Sequence, residues 1–158
     1  MTTPNERRIR AGYDLFLAAD VGNDADWDPG SPLAGLIAED IVWYEDVGDP
    51  LNPIRTVQNR GTGGLQQTEP NSPSEGVLGR LRELRREMPQ CQILSCLEYG
   101  AFVHTVDHAL KQNADGKTGP QFCASSFNLD DTGKVKEVHY CSDQRQLYLP
   151  PDPPRPSA

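Results

Sequence analysis

One stretch near the end of the chain carries most of the information about the fold: DDTGKVKEVHYCSD, at residues 130–143. Its acidic residues and glycine are typical of a hairpin turn, and the β-branched and aromatic residues that follow predict a strand. A second stretch, AEDIVWYED at residues 38–46, also predicts a short strand, here after an acidic cluster. The two strands bracket a chain that opens with an amphipathic helix, an order typical of a small curved sheet wrapped around helices.

Hydrophobic patterning predicts the elements between these two stretches. An amphipathic helix is predicted over residues 4–19, with Ile9, Tyr13 and Phe16 on one stripe and Pro4 and Glu6 in its first turn. A short helix is predicted at residues 33–37 and a longer one at 75–88, ended by a proline. Four strands are then predicted, separated by turn sequences, at residues 92–97, 101–110, 121–129 and 135–142. This succession predicts an antiparallel meander.

The length of 158 residues fits one domain, and we expect an α+β domain over residues 1–149. Within it, residues 47–75 contain Pro50, Pro53, Pro70 and Pro73 together with several glycines, which predicts a long loop. Residues 150–158 include five prolines and predict an extended or disordered tail.

The charge balance excludes one class of partner. A formal net charge of -8 argues against nucleic acid, because phosphate binding requires a clustered excess of Lys and Arg. The main basic group lies on the predicted helix at 75–88, where its arginines alternate with Glu83 and Glu87 at helical spacing. This pattern predicts a solvated face with ion pairs, formed by Arg80, Arg82, Arg85 and Arg86.

Cysteine usage and the ends of the chain bear on the compartment. The four cysteines have no paired CxxC spacing, and residues 1–10 are polar and lack the apolar run of a signal peptide. No stretch approaches 18 consecutive apolar residues, so no membrane span is predicted. We therefore expect a cytoplasmic protein that binds neither membrane nor nucleic acid.

The order of elements resembles that of the nuclear transport factor 2-like superfamily, and the local sequences resemble its polyketide cyclase (SnoaL-like) and ketosteroid isomerase branch. Three segments carry the resemblance, which spans about residues 5–145: Tyr13 in the first helix, residues 38–46, and residues 133–140. It implies a cone-shaped barrel, in which a curved, mostly antiparallel sheet wraps around N-terminal helices. It also implies a homodimer and a deep apolar pocket that holds a few acid-base groups.

The resemblance also implies roles for particular residues. In isomerase-like members, the acid after the first strand abstracts a proton and the helix-one tyrosine donates a hydrogen bond to the developing oxyanion. The positions that match here are Glu45, with Asp46 one residue away, and Tyr13. The isomerase's second donor, a protonated carboxylic acid, falls at Ser125.

The epoxide hydrolases of the same fold use an Arg and two Asp, one of them on the last strand. This chain has Tyr140 at that position. Asp107 could match the other carboxylate, but no arginine lies near it on its own strand. The hydrolase set is therefore incomplete in the sequence.

In the strand at 101–110, alternate residues form two faces, and either face could point inward. Aligned to the isomerase-like strand, the inward face is expected to carry Phe102, His104, Val106 and His108, and the outer face Val103, Thr105, Asp107 and Ala109. Inward histidines could act as general acid or base near neutral pH. Exposed or structural histidines are the alternative, as is a metal bound by both histidines with Glu45, although the spacing fixes no further ligand.

The first functional hypothesis is a cofactor-independent isomerase, cyclase or dehydratase that acts by proton transfer on an apolar oxygenated substrate such as a polyketide, terpenoid or steroid. Its candidate catalytic residues are Tyr13, Glu45, Asp46, His104, Asp107 and His108. Its candidate substrate contacts are Trp43, Phe102, Val106, Ser125, Phe127, Val138 and Tyr140. Neither a cofactor nor a metal is predicted. The alternatives are a non-catalytic ligand-binding or dimeric interaction module of the same fold, and an epoxide hydrolase.

Overall fold

The computed structural model describes residues 2–47, 56–60, 76–112 and 116–142, with side chains described for all of these except residues 46, 47 and 56–60. The predicted tail at 150–158 and most of the predicted loop at 47–75 lie outside the described residues. None of the helices in the described ranges is long and apolar enough to cross a membrane.

The first helix, α1, spans Pro4–Ala18, as the sequence predicts. Thr3 caps it: its hydroxyl accepts from the Glu6 backbone N–H, while the Glu6 carboxylate accepts from the Thr3 backbone N–H. The other oxygen of Glu6 accepts from the backbone N–H of Glu98, and the Glu98 carboxylate in turn accepts from Thr3 and Asn5. These hydrogen bonds attach the start of α1 to the sheet. They thereby help to fix the position of Tyr13, which lies further along the same helix.

In the described ranges, six strands form one curved sheet: Ile37–Val47 (β1), Thr56–Arg60 (β2), Gln90–Tyr99 (β3), Phe102–Gln112 (β4), Thr118–Leu129 (β5) and Val135–Ser142 (β6). They lie in the order β2-β1-β6-β5-β4-β3. The first strand, β1, spans Ile37–Val47 and pairs parallel with β6, whereas every other neighbouring pair is antiparallel. The predicted meander is confirmed, with strands at Gln90–Tyr99 (β3), Phe102–Gln112 (β4), Thr118–Leu129 (β5) and Val135–Ser142 (β6). The α+β architecture that the sequence predicts is therefore present.

A short strand, β2, lies where the sequence predicted only a loop. It spans Thr56–Arg60 and pairs antiparallel with residues 42–46 of β1. The prolines of this segment lie outside residues 56–60, so the short run between them keeps every backbone N–H for the ladder. The sequence predicts a long loop over 47–75, and β2 is a short strand within that range that the count of breakers did not reveal.

The second helix, α2, spans Gly76–Glu87 and covers the concave face of the sheet together with α1. Its buried side chains recur at helical spacing, with Val77, Leu78 and Leu84 in the core. They pack with Ile41 and Trp43 from β1 in one hydrophobic cluster. A 3-10 turn at Ala34–Leu36, where the sequence predicted a short helix, leads directly into β1.

Candidate active site

A cavity lies between the two helices and the concave face of the sheet. Its empty volume is about 870 Å³, counting the part that opens to solvent. Aliphatic and aromatic side chains from α1, α2 and the three strands β1, β5 and β6 form most of its wall. The polar side chains in that wall are few: Arg8, Tyr13, Asp107, Ser125 and Tyr140, together with the indole of Trp43. Such a cavity suits a largely apolar ligand with a small number of oriented polar groups.

A carboxylate and a phenol meet in this wall. The Tyr13 hydroxyl on α1 donates to Asp107 on β4, with oxygen distances of 3.0 Å to Oδ1 and 3.1 Å to Oδ2. The hydroxyls of Tyr13 and Thr105 lie 3.0 Å apart, and Thr105 is two residues before Asp107 on the same face of β4. The Cys91 thiol on β3 approaches the same carboxylate, with Sγ 3.8 Å from Oδ2. Asp107 is thus buried among three groups that can donate to it.

Burial decides the protonation of this cluster. It raises the pKa of Asp107 from 3.8 to about 6, although hydrogen bonds from Tyr13, Thr105 and Cys91 oppose the rise. Burial, with the nearby Asp107 charge, raises the pKa of Tyr13 well above its usual value, so the phenol keeps its proton. The same two causes raise the pKa of Cys91 to about 12. At neutral pH the site therefore holds one carboxylate ready to accept a proton, beside two groups that stay protonated.

Two further hydroxyls extend the polar edge of the cavity across the neighbouring strands. Ser125 on β5 lies directly opposite Thr105 in the ladder, and Tyr140 on β6 lies directly opposite Ser125. Tyr140 is engaged by Cys123, whose Sγ lies 3.4 Å from the phenol oxygen. Burial raises the pKa of Tyr140 well above its usual value, with a further contribution from Cys123. Ser125, by contrast, presents a small hydroxyl in the cavity wall.

The structure places the residues predicted to contact substrate in two groups. Five of them line the cavity: Trp43, Ser125, Phe127, Val138 and Tyr140. Phe102 and Val106 belong to the opposite face of β4 and are absent from the wall that the described residues form. Substrate contact by the first group stays a prediction.

The predicted orientation of β4 was wrong. Val103, Thr105, Asp107 and Ala109 are buried on the concave face, whereas His104, Val106 and His108 are exposed on the outer face. Alternation with a period of two fits either orientation, and each face carries two apolar residues. The Tyr13 hydroxyl decides between them, because it supplies the hydrogen bond that a buried carboxylate needs.

The three histidines lie outside the cavity. His104 Nδ1 lies 2.9 Å from the Ser126 hydroxyl, and His139 stacks on Tyr44 with ring centroids 4.7 Å apart. His108 packs against Phe122 on the same outer face. Glu45 lies on the buried face of β1, so the hypothesis of a metal shared by His104, His108 and Glu45 is wrong. Within the described ranges, no cluster of His, Cys, Asp and Glu could hold a metal ion.

Glu45 is buried but is held away from the cavity by an arginine. The Arg80 side chain on α2 donates from Nε at 2.8 Å and from Nη2 at 2.5 Å to the two oxygens of Glu45. Arg80 also donates to Glu83. Burial disfavours the charged guanidinium, but the hydrogen bonds and charge of Glu45 outweigh it and raise the pKa of Arg80. Glu45 therefore has a fixed partner, and the side chain of Asp46 lies outside the described residues.

The predicted ion pairing on α2 is present between Arg80 and Glu83, but three of the four arginines are half-buried and not solvated. Arg80 binds Glu45, Arg82 donates to the Val21 carbonyl and pairs with Asp24, and Arg85 donates to the carbonyls of Met88 and Leu17. Among these four arginines, Arg86 alone is exposed. Helical spacing carried the missing signal: Arg80 lies three residues after Val77 and four before Leu84, so it flanks the buried stripe.

The epoxide hydrolase hypothesis required an arginine beside Asp107. The described polar neighbours of Asp107 are Tyr13, Thr105 and Cys91. The arginine in the cavity wall, Arg8, donates to Asn5. This requirement is therefore unmet in the part of the chain that the structure describes.

No family model matches this sequence, and a search of curated proteins also finds no match. Solved structures do match. TerC, co-crystallized with polyporic acid, is 16% identical with a TM-score of 0.61, and the match covers 92% of this chain and 96% of TerC. An NTF2-like protein from Burkholderia pseudomallei is 14% identical with a TM-score of 0.60, over 92% of this chain and 95% of its own.

A SnoaL-like family protein from Agrobacterium tumefaciens is 16% identical with a TM-score of 0.55, over 89% of this chain and 99% of its own. The identities are low, but the matches extend over nearly the whole of each chain. The chain therefore has the nuclear transport factor 2-like fold, as the resemblance implied.

Proposed function

We propose that this protein is a cofactor-independent enzyme that moves a proton on a largely apolar, oxygenated small molecule, as an isomerase, cyclase or dehydratase does. The observation that carries the proposal is the Asp107 carboxylate, buried in the wall of an apolar cavity with the Tyr13 hydroxyl 3.0 Å away. A general base works best when its pKa lies near the working pH, and burial brings the pKa of Asp107 to about 6.

Asp107 and Tyr13 act in sequence in this proposal. The ionised Asp107 removes a proton from a carbon or hydroxyl of the substrate, and the electron pair left behind moves toward a substrate oxygen. Once Asp107 is protonated, it no longer requires the Tyr13 proton, and the phenol can donate to the developing oxyanion. Return of the proton from Asp107 to another substrate position completes an isomerisation, or releases water in a dehydration.

The proposal moves the base from Glu45, where the resemblance placed it, to Asp107. The Arg80 guanidinium donates to both oxygens of Glu45, and Glu45 is absent from the cavity wall that the described residues form. Both oxygens of Glu45 are therefore engaged by a side chain other than a ligand in the cavity. Fold relatives include TerC and a SnoaL-like protein, which is compatible with small-molecule chemistry.

Proton transfer can be tested without the true substrate. The bicyclic ketone 2-tetralone has acidic C–H bonds next to its carbonyl, and their exchange with deuterium in D₂O can be followed by NMR. We expect the wild-type protein to accelerate this exchange, and Asp107→Asn to reduce the acceleration by a factor of about 10²–10⁴, the usual contribution of a general base. Tyr13→Phe should reduce it by about 10²-fold through the lost donor.

The matched control is His108→Ala, since His108 lies on the outer face, away from the cavity. Its exchange rate should equal that of the wild type. Full activity in a folded Asp107→Asn protein would refute the assignment of the base. A wild-type protein that binds 2-tetralone and leaves its exchange unaccelerated would favour the alternative of a ligand-binding module.

We also propose that the protein forms a homodimer through the outer face of its sheet. Leu97, Val106 and Phe122 are 59%, 40% and 59% exposed, and all three lie on the face opposite the cavity. Exposed apolar groups of this kind mark association surfaces. A second copy of the chain is the partner that the resemblance implies.

A further inference from the structure

Arg8 on α1 is the one basic residue among the described residues of the cavity wall. It is also the one exposed residue of that described wall, because the other wall residues are buried or half-buried. Arg8 therefore lies where the cavity meets solvent. The opening of a largely apolar cavity carries a positive charge at this point.

The turn between β5 and β6 holds the Arg8 guanidinium at the opening. Gly133 in this turn also lines the cavity, and a Cβ atom built on it would lie 2.5 Å from Arg8 Cζ and 2.6 Å from Nη1. The φ of Gly133 is +84°, a left-handed conformation that favours glycine, so the turn itself provides the space that the guanidinium fills. Asn5 Oδ1 accepts from Arg8 Nη1 at 3.2 Å. The guanidinium thus has a defined position between α1 and the turn.

The charge of Arg8 is not neutralised by an ion pair with any described residue, although the chain contains 23 acidic residues. The carboxylate of Asp130, in the adjacent turn, accepts through Oδ1 from the Thr132 backbone and hydroxyl and from the Lys134 backbone. A guanidinium has five N–H donors, and Asn5 accepts from one of them. Most donors of Arg8 are therefore open to a ligand that enters the cavity.

We propose that Arg8 binds a carboxylate group of the substrate at the opening of the cavity, while the apolar body of the molecule lies inside. This inference rests on the proposed function and narrows its substrate class to apolar carboxylic acids. A guanidinium matches a carboxylate well, since two parallel N–H groups donate to the two oxygens. The net charge of -8 repels anions from the protein as a whole, so recognition of an anion requires a local cation of this kind.

Asp107 gives such a substrate one orientation. Two ionised carboxylates repel each other more strongly in an apolar cavity than in water, so the acidic end of the substrate is directed away from Asp107 and toward Arg8. Arg8 lies five residues before Tyr13 on α1, which separates the two positions by about 7.5 Å along the helix axis and about 140° around it. The anion position is therefore distinct from the Tyr13–Asp107 pair, and the carbon that loses its proton belongs to the apolar body of the molecule.

Two ligands of the same shape and different charge test the proposal. 2-Naphthoate is anionic at neutral pH, and 2-naphthamide is its neutral amide. In equilibrium dialysis at low salt, Arg8→Gln should bind 2-naphthoate about tenfold more weakly than the wild type, which corresponds to about 1.4 kcal/mol. Its affinity for 2-naphthamide should be unchanged. Added NaCl should weaken the binding of 2-naphthoate to the wild type, because salt screens an exposed charge.

Arg7→Gln is the matched control, because it changes the net charge by the same amount. Arg7 is exposed on the same helix, donates to the Thr2 carbonyl and is absent from the described cavity wall. This variant should bind 2-naphthoate as the wild type does. Equal losses in Arg7→Gln and Arg8→Gln would show a general effect of charge and overturn the inference. An Arg8→Gln protein that binds 2-naphthoate as tightly as the wild type would overturn it as well.

These outcomes are independent of the base assignment. In an Asp107→Asn protein, addition of Arg8→Gln should still lower the affinity for 2-naphthoate about tenfold, because the two groups lie at separate positions. If deuterium exchange of 2-tetralone survives in Asp107→Asn while this loss is seen, the proposed function fails and the anion site stands. If exchange is lost in Asp107→Asn but Arg8→Gln binds 2-naphthoate as the wild type does, the opposite holds.

Discussion

At the scale of single residues, the molecule keeps an ionisable carboxyl in a place that penalises its charge. Asp107 is buried, and the hydrogen bonds from Tyr13, Thr105 and Cys91 offset only part of the cost of desolvation. A core residue of the same shape without a charge would avoid this cost. Retention of a destabilising carboxyl next to a cavity is typical of active sites, where stability is sacrificed for chemistry.

This cost predicts how stability depends on pH. The folded-state pKa of Asp107, about 6, exceeds its ordinary value of 3.8, so the folded state holds a proton that the unfolded state releases between these two values. Stability contributed by this group is therefore present at low pH and is lost as pH rises through 6. The full loss is about 3 kcal/mol above pH 7, from a shift of about two pKa units.

Comparison with Asp107→Asn isolates this term from the many other acids of the chain. Urea unfolding of both proteins between pH 4 and pH 8 should show the variant gaining on the wild type as pH rises, by up to about 3 kcal/mol. If the free energy of unfolding of the variant minus that of the wild type is constant over this range, the carboxyl titrates normally. If this difference decreases as pH rises, the pKa of the carboxyl is lowered in the folded state.

The sequence predicted some of these residues as candidates but could not predict the contact between them. Tyr13 follows from the helical stripe, and Asp107 follows from its place on a predicted strand. Their contact joins positions 94 residues apart and depends on how α1 crosses the sheet. Among the described residues the Trp43 indole N–H has no partner, whereas the Trp27 indole N–H donates to a backbone carbonyl, and the sequence does not distinguish these two surroundings.

At the scale of secondary-structure elements, one ion pair joins β1 to α2. The side chains of Glu45 and Arg80 are 4% and 19% exposed. Removal of one partner from a buried pair leaves an uncompensated charge, and such losses are typically about 3–5 kcal/mol. We therefore expect Arg80→Met to lower the free energy of unfolding by an amount near the lower end of this range, as measured by urea denaturation.

The double variant Arg80→Met with Glu45→Gln separates the pair from its packing. Since the second change removes the stranded charge, it should restore most of the lost stability. Arg86→Met is the matched control, because Arg86 is exposed on the same helix and its loss should cost less than about 0.5 kcal/mol. An Arg80→Met protein as stable as the wild type would show that solvent screens the pair.

Element boundaries were largely predictable, whereas the face of a strand was not. Breakers and periodicity located α1, α2 and the four meander strands within a few residues. Both faces of β4 are half polar, so the alternation does not show which face is buried. The alignment to the isomerase-like strand predicted the wrong face. β2 escaped prediction because five residues between clusters of breakers carry too little periodicity.

At the scale of the whole molecule, the two faces of the sheet differ in character. Its concave face, covered by α1 and α2, holds the cavity and Asp107, while its convex face exposes aromatic and aliphatic side chains together with the histidines. Successive side chains of a strand point to opposite faces of the sheet, so a substitution in β4 affects only the face on which that residue lies. Substitutions on the convex face should therefore alter assembly and leave the cavity intact.

Assembly is tested by charges placed on the convex face. Phe122 and Val106 point away from the cavity, and a glutamate at either position would lie unpaired in an interface between two copies. We expect the wild type to be a dimer by size-exclusion chromatography with light scattering, and Val106→Glu with Phe122→Glu to be a monomer at the same concentration. The wild type has a net charge of -8, and the two added glutamates make the variant more negative. The variant should therefore be more soluble than the wild type.

The control places the same charge away from the sheet, at Ala11→Glu, an exposed position on α1. This variant should stay dimeric. Binding of 2-tetralone to the monomeric double variant should equal that of the wild type, because Val106 and Phe122 lie on the face of the sheet opposite the cavity. A wild-type protein that is monomeric at 100 μM or so, far above the micromolar Kd expected of a weak specific interface, would exclude the dimer.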